Sequence, residues 1–131
     1  MIDDLTLVVG RQCDAAEVLE ARLRALELLL HAGEQRFLAM AVDEVEDASE
    51  RLAALELTRS LAMAAIGAPD DLTASDVVAA VADERGTIFA ERVDRLRGAV
   101  ARVTVSRERI RRLVLDAQAD GQRRLAVAGV A

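Results

Sequence analysis

One constraint outweighs the others: from Gly86 to Gly129 the chain runs without a proline, and apolar side chains recur along it at steps of three and four. Phe89, Val93, Leu96, Val100, Val103, Ile110, Val114 and Ala117 fall on one stripe of one helix by that spacing. At 1.5 Å of rise per residue such a helix reaches ~60 Å, too long to stand without something against its stripe. The remaining sequence reads as what lies along this spine.

Two more helices have the same step. The first, about 4–32, follows Asp3 and Asp4, whose carboxylates suit a helix N-terminus, and has the stripe Leu5, Val8, Gln12, Ala16, Leu19, Leu23, Leu26, Leu30. Gly10 weakens its first turns and predicts fraying up to that point; Gly33 ends it. The second, about 35–66, places Leu38, Ala41, Val45, Ala48, Leu52, Leu55, Ala62 and Ile66 on a coiled-coil seam. Gly67-Ala68-Pro69-Asp70-Asp71 then breaks the pattern. Thr73 reads as the N-cap of a short helix, about 74–83, which buries Val77, Val78 and Val81, and Gly86 separates that helix from the spine, about 86–128. The sequence therefore predicts a single all-α domain: an elongated antiparallel helical bundle or coiled coil of three long helices plus one short one. Aromatics at 2% fit helices packed closely along their length better than a compact globule. If the second helix and the spine pack antiparallel, facing residues have numbers adding to about 155. Leu52 then faces Val103, Val45 faces Ile110 and Leu38 faces Ala117.

Charge is segregated. Residues 1–56 carry 13 acids and 5 arginines, whereas residues 85–131 carry 5 acids and 11 arginines. Such a basic helix could suggest nucleic acid, but it has no stacking aromatics and the rest of the molecule repels phosphate. Attraction between the long helix and the acidic helix beside it is the plainer reading. Arg59 and Arg107 fall on inner stripes, and an unpaired buried guanidinium is too costly; Arg107 is expected to turn sideways to Asp47 or Glu44.

Absent residues exclude chemistry. All 17 basic residues are arginine, so there is no P-loop lysine, Schiff base or lysine general base. One cysteine, Cys13, and one histidine, His31, make neither a zinc site nor an intrachain disulfide. Cys13 reads as a small core filler, and His31 as a group that favours the carbonyls at a helix end. Asp43, Glu46, Asp47 and Glu50 share one face of the second helix, and a solvated face explains them better than a metal site. No catalytic group, cofactor site or metal site is expected. No apolar run approaches the ~18 residues of a membrane span, and the start of the chain lacks the basic residues of a secretion signal, which predicts a cytoplasmic protein without membrane insertion.

A resemblance enters in the middle of the chain. The runs Leu28-Leu29-Leu30-His31-Ala32-Gly33, Phe37-Leu38-Ala39, Leu52-Ala53-Ala54-Leu55-Glu56 with Arg59, and Ile66-Gly67-Ala68-Pro69, ahead of a long basic helix, resemble the FlgN family of flagellar export chaperones. The resemblance implies binding of the C-terminal segments of hook-associated (hook–filament junction) proteins, protection from early assembly, and delivery to a type III export apparatus. It also implies that the partner-binding part is the amphipathic C-terminal region, here Ile110 to Val127, with Ile110, Leu113, Val114, Leu115 and Ala117 as candidate contacts. Spacing agrees in part: Ile110, Val114 and Ala117 continue the stripe, and Leu113 and Leu115 widen it on either side. The alternative is that the first helix covers this width. A chorismate mutase-like enzyme fails for want of its substrate lysine, and a secreted Trp-x-Gly hairpin for want of tryptophan. A coiled-coil adaptor or homo-oligomeric structural protein remains as the rival, and the chain is expected as a monomer or homodimer.

Overall fold

The computed structural model describes residues 2–67, 76, 81 and 83–129. Three helices make it up: α1 (Ile2–Ala32), α2 (Leu38–Ala65) and α3 (Glu84–Val127). The described residues contain no strand, so the protein is an all-α helical bundle. The short helix expected at 74–83, its cap Thr73 and most of the break after Gly67 lie outside the described residues. Val81, which is described, packs on the core as expected.

Each visible boundary has a local cause. Gly33, at φ 65°, ends α1 with two bonds: its N–H donates to Leu30 O at 3.2 Å and that of Glu34 to Leu29 O at 3.1 Å. Both satisfy carbonyls that the helix leaves open, in a conformation glycine adopts without strain. α2 starts three residues later than expected, after Phe37, which offers no side-chain cap. Asp83 caps α3, its Oδ1 accepting from the Arg85 N–H at 3.0 Å. Gly86 is therefore not a separator. It sits in the first turn of α3 and is buried.

Helix α1, and not the long α3, is the element the bundle is built around. Ile2, Leu5, Val9, Gln12, Ala16, Leu19, Leu23 and Leu26 are buried along it at alternating steps of three and four. Both other helices pack on α1, whereas no Cα of α2 comes within 8 Å of one in α3 among the described residues. α2 returns antiparallel, with Arg22 paired to Glu44 at 3.0 Å. α3 runs parallel to α1: residues 3 and 85, 20 and 102, 27 and 109 pair, always 82 apart. α2 and α3 are thus antiparallel, as predicted, and the Arg107–Ser49 bridge joins numbers adding to 156, in the expected register; Leu52, Val45, Val103 and Ile110 meet in one core with α1, whereas Ala117, expected opposite Leu38, is exposed.

The seam of α3 also differs. Phe89, Leu96, Ala99, Val103 and Ser106 are buried, with Val93 and Ile110 packed beside them. Val100 and Val114 are each 39% exposed and Ala117 is exposed. Small residues win because they face α1: Ala99 is fully buried where a valine would hold the helices apart. Close approach also explains Gly10, which lies inside an unbroken α1. A Cβ there would stand 3.1 Å from Arg92 Nη1, and that same nitrogen donates to Thr6 O at 3.0 Å. The residue read as a weakness makes room for a cross-helix hydrogen bond.

Candidate partner-binding surface

The register decides what is covered. With an offset of 82, Val114 lies level with Ala32, the last residue of α1. Leu115–Val127 then run on past it for ~20 Å. α2 offers no cover, because it begins at Leu38 and turns back down the bundle. The five candidate residues are split by this edge. Ile110 packs against the core and Leu113 is half-buried. Val114 is at the edge; Leu115, 47% exposed, and Ala117 are beyond it. Leu125 and Val127, which the spacing did not single out, are exposed at 54% and 90%. α1 therefore covers the first two candidates and leaves the rest to solvent.

Charge separates the same two parts. Along the covered part, arginines of α3 reach across to α1: Arg95 to Glu17 at 2.7 Å and to Asp14 at 3.3 Å, Arg102 to Glu20 at 3.0 Å, Arg109 to Glu27 at 3.1 Å. Arg95, Arg102 and Arg109 are seven apart, two helical turns, so they form one row. The acidic helix that attracts the basic one is thus α1. The hydrogen bond from Arg95 holds the Glu17 carboxyl below its ordinary range.

Beyond the row, arginines turn to carboxylates of their own helix. Arg111 and Arg112 clamp Glu108 at 2.8 and 3.3 Å, and Arg123 and Arg124 clamp Asp120 at 3.5 and 3.0 Å. Hydrogen bonding from Arg111, then its charge and that of Arg112, brings Glu108 down to about 2. Each clamp sets two guanidiniums on one carboxylate; past Val114, Asp116 and Asp120 balance Arg123 and Arg124.

Arg107 does not pair with Asp47 or Glu44. Its Nη2 donates to Ser49 Oγ at 3.1 Å, a side-chain bridge from α3 to α2, while Glu44 is held by Arg22. Arg59 is exposed, which removes the expected burial problem. Asp43, Glu46, Asp47 and Glu50 make no ion pair among the described residues and are all exposed, the solvated face expected of them. No group of three metal-ligating side chains occurs among the described residues. Cys13 is fully buried, its thiol donating to Arg92 O at 3.2 Å, and burial raises its pKa. His31 stands 3.8 Å from Glu27 on an exposed edge. No described helix is long and apolar enough to cross a membrane.

Comparison with protein-family models, with curated proteins and with solved structures finds no match.

Proposed function

We propose that this chain is an export chaperone of the FlgN type. In this reading it binds the amphipathic C-terminal segment of a flagellar hook-associated protein in the cytoplasm, prevents its early assembly and passes it to a type III export apparatus. The observation that carries the proposal is the end of α3, with Leu115, Leu125 and Val127 exposed and no described helix alongside. An isolated helical end with exposed apolar residues suits an amphipathic segment that brings its own apolar face. Gly121 adds to this: glycine costs ~1 kcal/mol inside a helix, so the overhang is poised to gain order on binding.

The test uses a labelled peptide from the C-terminus of a hook-associated protein, titrated with the full chain. Leu115→Asp should leave helicity and melting unchanged and weaken binding by ~2 kcal/mol or more, as expected of an interface anchor. Unchanged affinity in that folded variant overturns the chaperone reading. The rival, a homo-oligomeric adaptor, draws on a different observation: Asp43, Glu46, Asp47 and Glu50 are an exposed acidic row, without an ion pair among the described residues, that can meet exposed arginines of α3 such as Arg111 and Arg112 in another copy. Salt-sensitive self-association, lost in Glu46→Arg, would favour it.

A further inference from the structure

Helix α1 carries a second seam besides its core stripe. It lies on the outer side, between the edge that meets α2 at Arg22 and the edge that meets α3 at Glu17. Leu7, Arg11, Asp14, Val18, Ala21 and Ala25 follow one another there at steps of four and three, and all are exposed. That step is the spacing by which one helix packs along another. Leu7 and Val18, aliphatic side chains at seam positions, are 50% and 49% exposed. An apolar row alone names no partner; the two charges within this one do.

Arg11 and Asp14 are neighbours in the seam, opposite in sign and about one turn apart. Arg11 makes no hydrogen bond or ion pair among the described residues. Asp14, its side chain 74% exposed, gives Oδ1 to Arg95 at 3.3 Å, and its Oδ2 has no partner among the described residues. A purely aliphatic helix laid along the seam would cover both charges without pairing them, which costs more than its apolar contacts gain. The fitting partner offers a carboxylate to Arg11 and a cation to Asp14, one turn apart and in reversed order. A second α1, turned end for end about a two-fold axis, carries that pattern, because in such a contact each residue meets its counterpart twice. With the axis between Gln12 and Cys13, facing residues have numbers adding to about 25. Each Arg11 then lies on Asp14 of the second copy, and each Leu7 on its Val18. A parallel pair in register would instead set Arg11 on Arg11 and Asp14 on Asp14.

We infer that the outer seam of α1 is the contact between two copies of this chain, an antiparallel pair held by Arg11–Asp14 bridges and by layers of Leu7 with Val18. Charge sets the direction and register, while the aliphatic layers hold the helices together. Ala25 and Leu28 continue the apolar spacing but fall past the first residues of the second α1 in this register. The pair leaves the two overhangs of α3 at opposite poles, so the inference does not rest on the proposed function. Nor does it use the acidic row of α2.

Sedimentation velocity of the full chain tests this, with interference optics because the chain has neither tryptophan nor tyrosine. It should show dimerisation across the micromolar range that weakens as salt rises. Arg11→Glu and Asp14→Arg should each weaken the dimer at least tenfold, because each sets like charges together across the axis. Both sites are exposed, and Arg95 keeps Glu17 at 2.7 Å in Asp14→Arg, so helicity and melting should not change. An equimolar mixture of the two variants should restore dimerisation, since each new charge then faces its opposite. Val18→Asp should cost at least tenfold as well, whereas Leu28→Asp, outside the register, should alter dimerisation less than twofold. A chain that stays monomeric throughout that range overturns the inference, and so does a dimer that both charge reversals leave intact. Weakening in each variant with no recovery in the mixture overturns the two-fold pairing and the inference with it. Equal losses in Leu28→Asp and Val18→Asp overturn the register by running the contact along the whole of α1. A dimer broken by Glu46→Arg, and not by Arg11→Glu, would move the contact to the acidic row of α2.

Discussion

The first thirty residues of α3 and its last thirteen are one continuous helix held in two different ways. From Glu84 to Leu113 it is pressed on α1 by a seam of Phe89, Leu96, Ala99, Val103 and Ser106, and a row of arginines crosses to α1 carboxylates. From Leu115 to Val127 it has, among the described residues, only its own backbone hydrogen bonds and a clamp on Asp120 from Arg123 and Arg124. Helices gain most of their stability in water from packing of an apolar face, with charge pairs on one helix adding a few tenths of a kcal/mol. The covered part therefore shares in the global stability of the bundle, and the overhang opens locally.

Leucine deletions on the two sides should show the contrast most strongly. Leu19 is fully buried in α1, and Leu19→Ala removes three carbons from a site that cannot collapse around the loss. A cost of 2–5 kcal/mol is expected, lowering the melting temperature by on the order of 10 °C. Leu125, 54% exposed in the overhang, should give less than ~0.5 kcal/mol on the same change. Calorimetry of both variants checks the pair. Comparable losses would mean that the overhang is held by something as firm as the core.

Within the covered part, Gln12 is the weak point. It occupies a core position of α1 at 1% exposure, and its Oε1 accepts no hydrogen bond among the described residues. An unsatisfied buried carbonyl costs roughly 1–3 kcal/mol, so Gln12→Leu should stabilise the bundle by ~1–2 kcal/mol in denaturant titrations. A destabilised variant would show that a water molecule completes the site and that the polar group is structural. The matching change in the overhang, Gln122→Leu, should leave the midpoint where it is, because Gln122 is exposed.

How far these features can be read from sequence differs between the two parts for physical reasons. The seam of α1 was legible because its three-and-four step is unbroken from Leu5 to Leu26. That of α3 was legible at Phe89, Val93, Leu96, Val103 and Ile110. Selecting the larger apolar residues led to Val100 and Val114, whereas close helix packing selected Ala99 and Ser106. The row of Arg95, Arg102 and Arg109 at sevens was open to view but hidden in a block count of charge. Gly10 could be read as a defect only while Arg92 was unplaced, since their contact joins residues more than eighty positions apart. The edge at Val114 was the least legible feature. It depends on the 82-residue offset between α1 and α3, a product of tertiary packing that no local pattern records. Hence Ile110 and Leu113 could not be told apart from Leu115 and Ala117 by spacing alone.

Within the covered part, acid should separate a pair that crosses helices from one that stays on its own helix, with the smallest effect of all. Glu17 joins the helices through Arg95, and Glu108 sits in a clamp within α3; both carboxyls are held below the ordinary value of 4.5, Glu108 at about 2. A carboxylate depressed by folding contributes stability above its unfolded pKa and loses it as pH falls through the folded one. These two contributions should therefore be steady above pH ~5 and fade from there downward, that of Glu108 not being gone until pH falls below about 2. The two differ in reach. Protonating Glu17 frees Arg95 from one of its cross-helix partners, so it should lower the melting of the whole bundle, whereas protonating Glu108 releases only neighbours three and four residues along the same helix. Glu17→Gln should accordingly flatten part of the decline in melting temperature between pH 5 and 3, and Glu108→Gln should leave that decline as it is while reducing the helical signal slightly. Equal flattening by both variants would mean that the Glu108 clamp takes as large a part in global stability as the pair of Glu17 with Arg95.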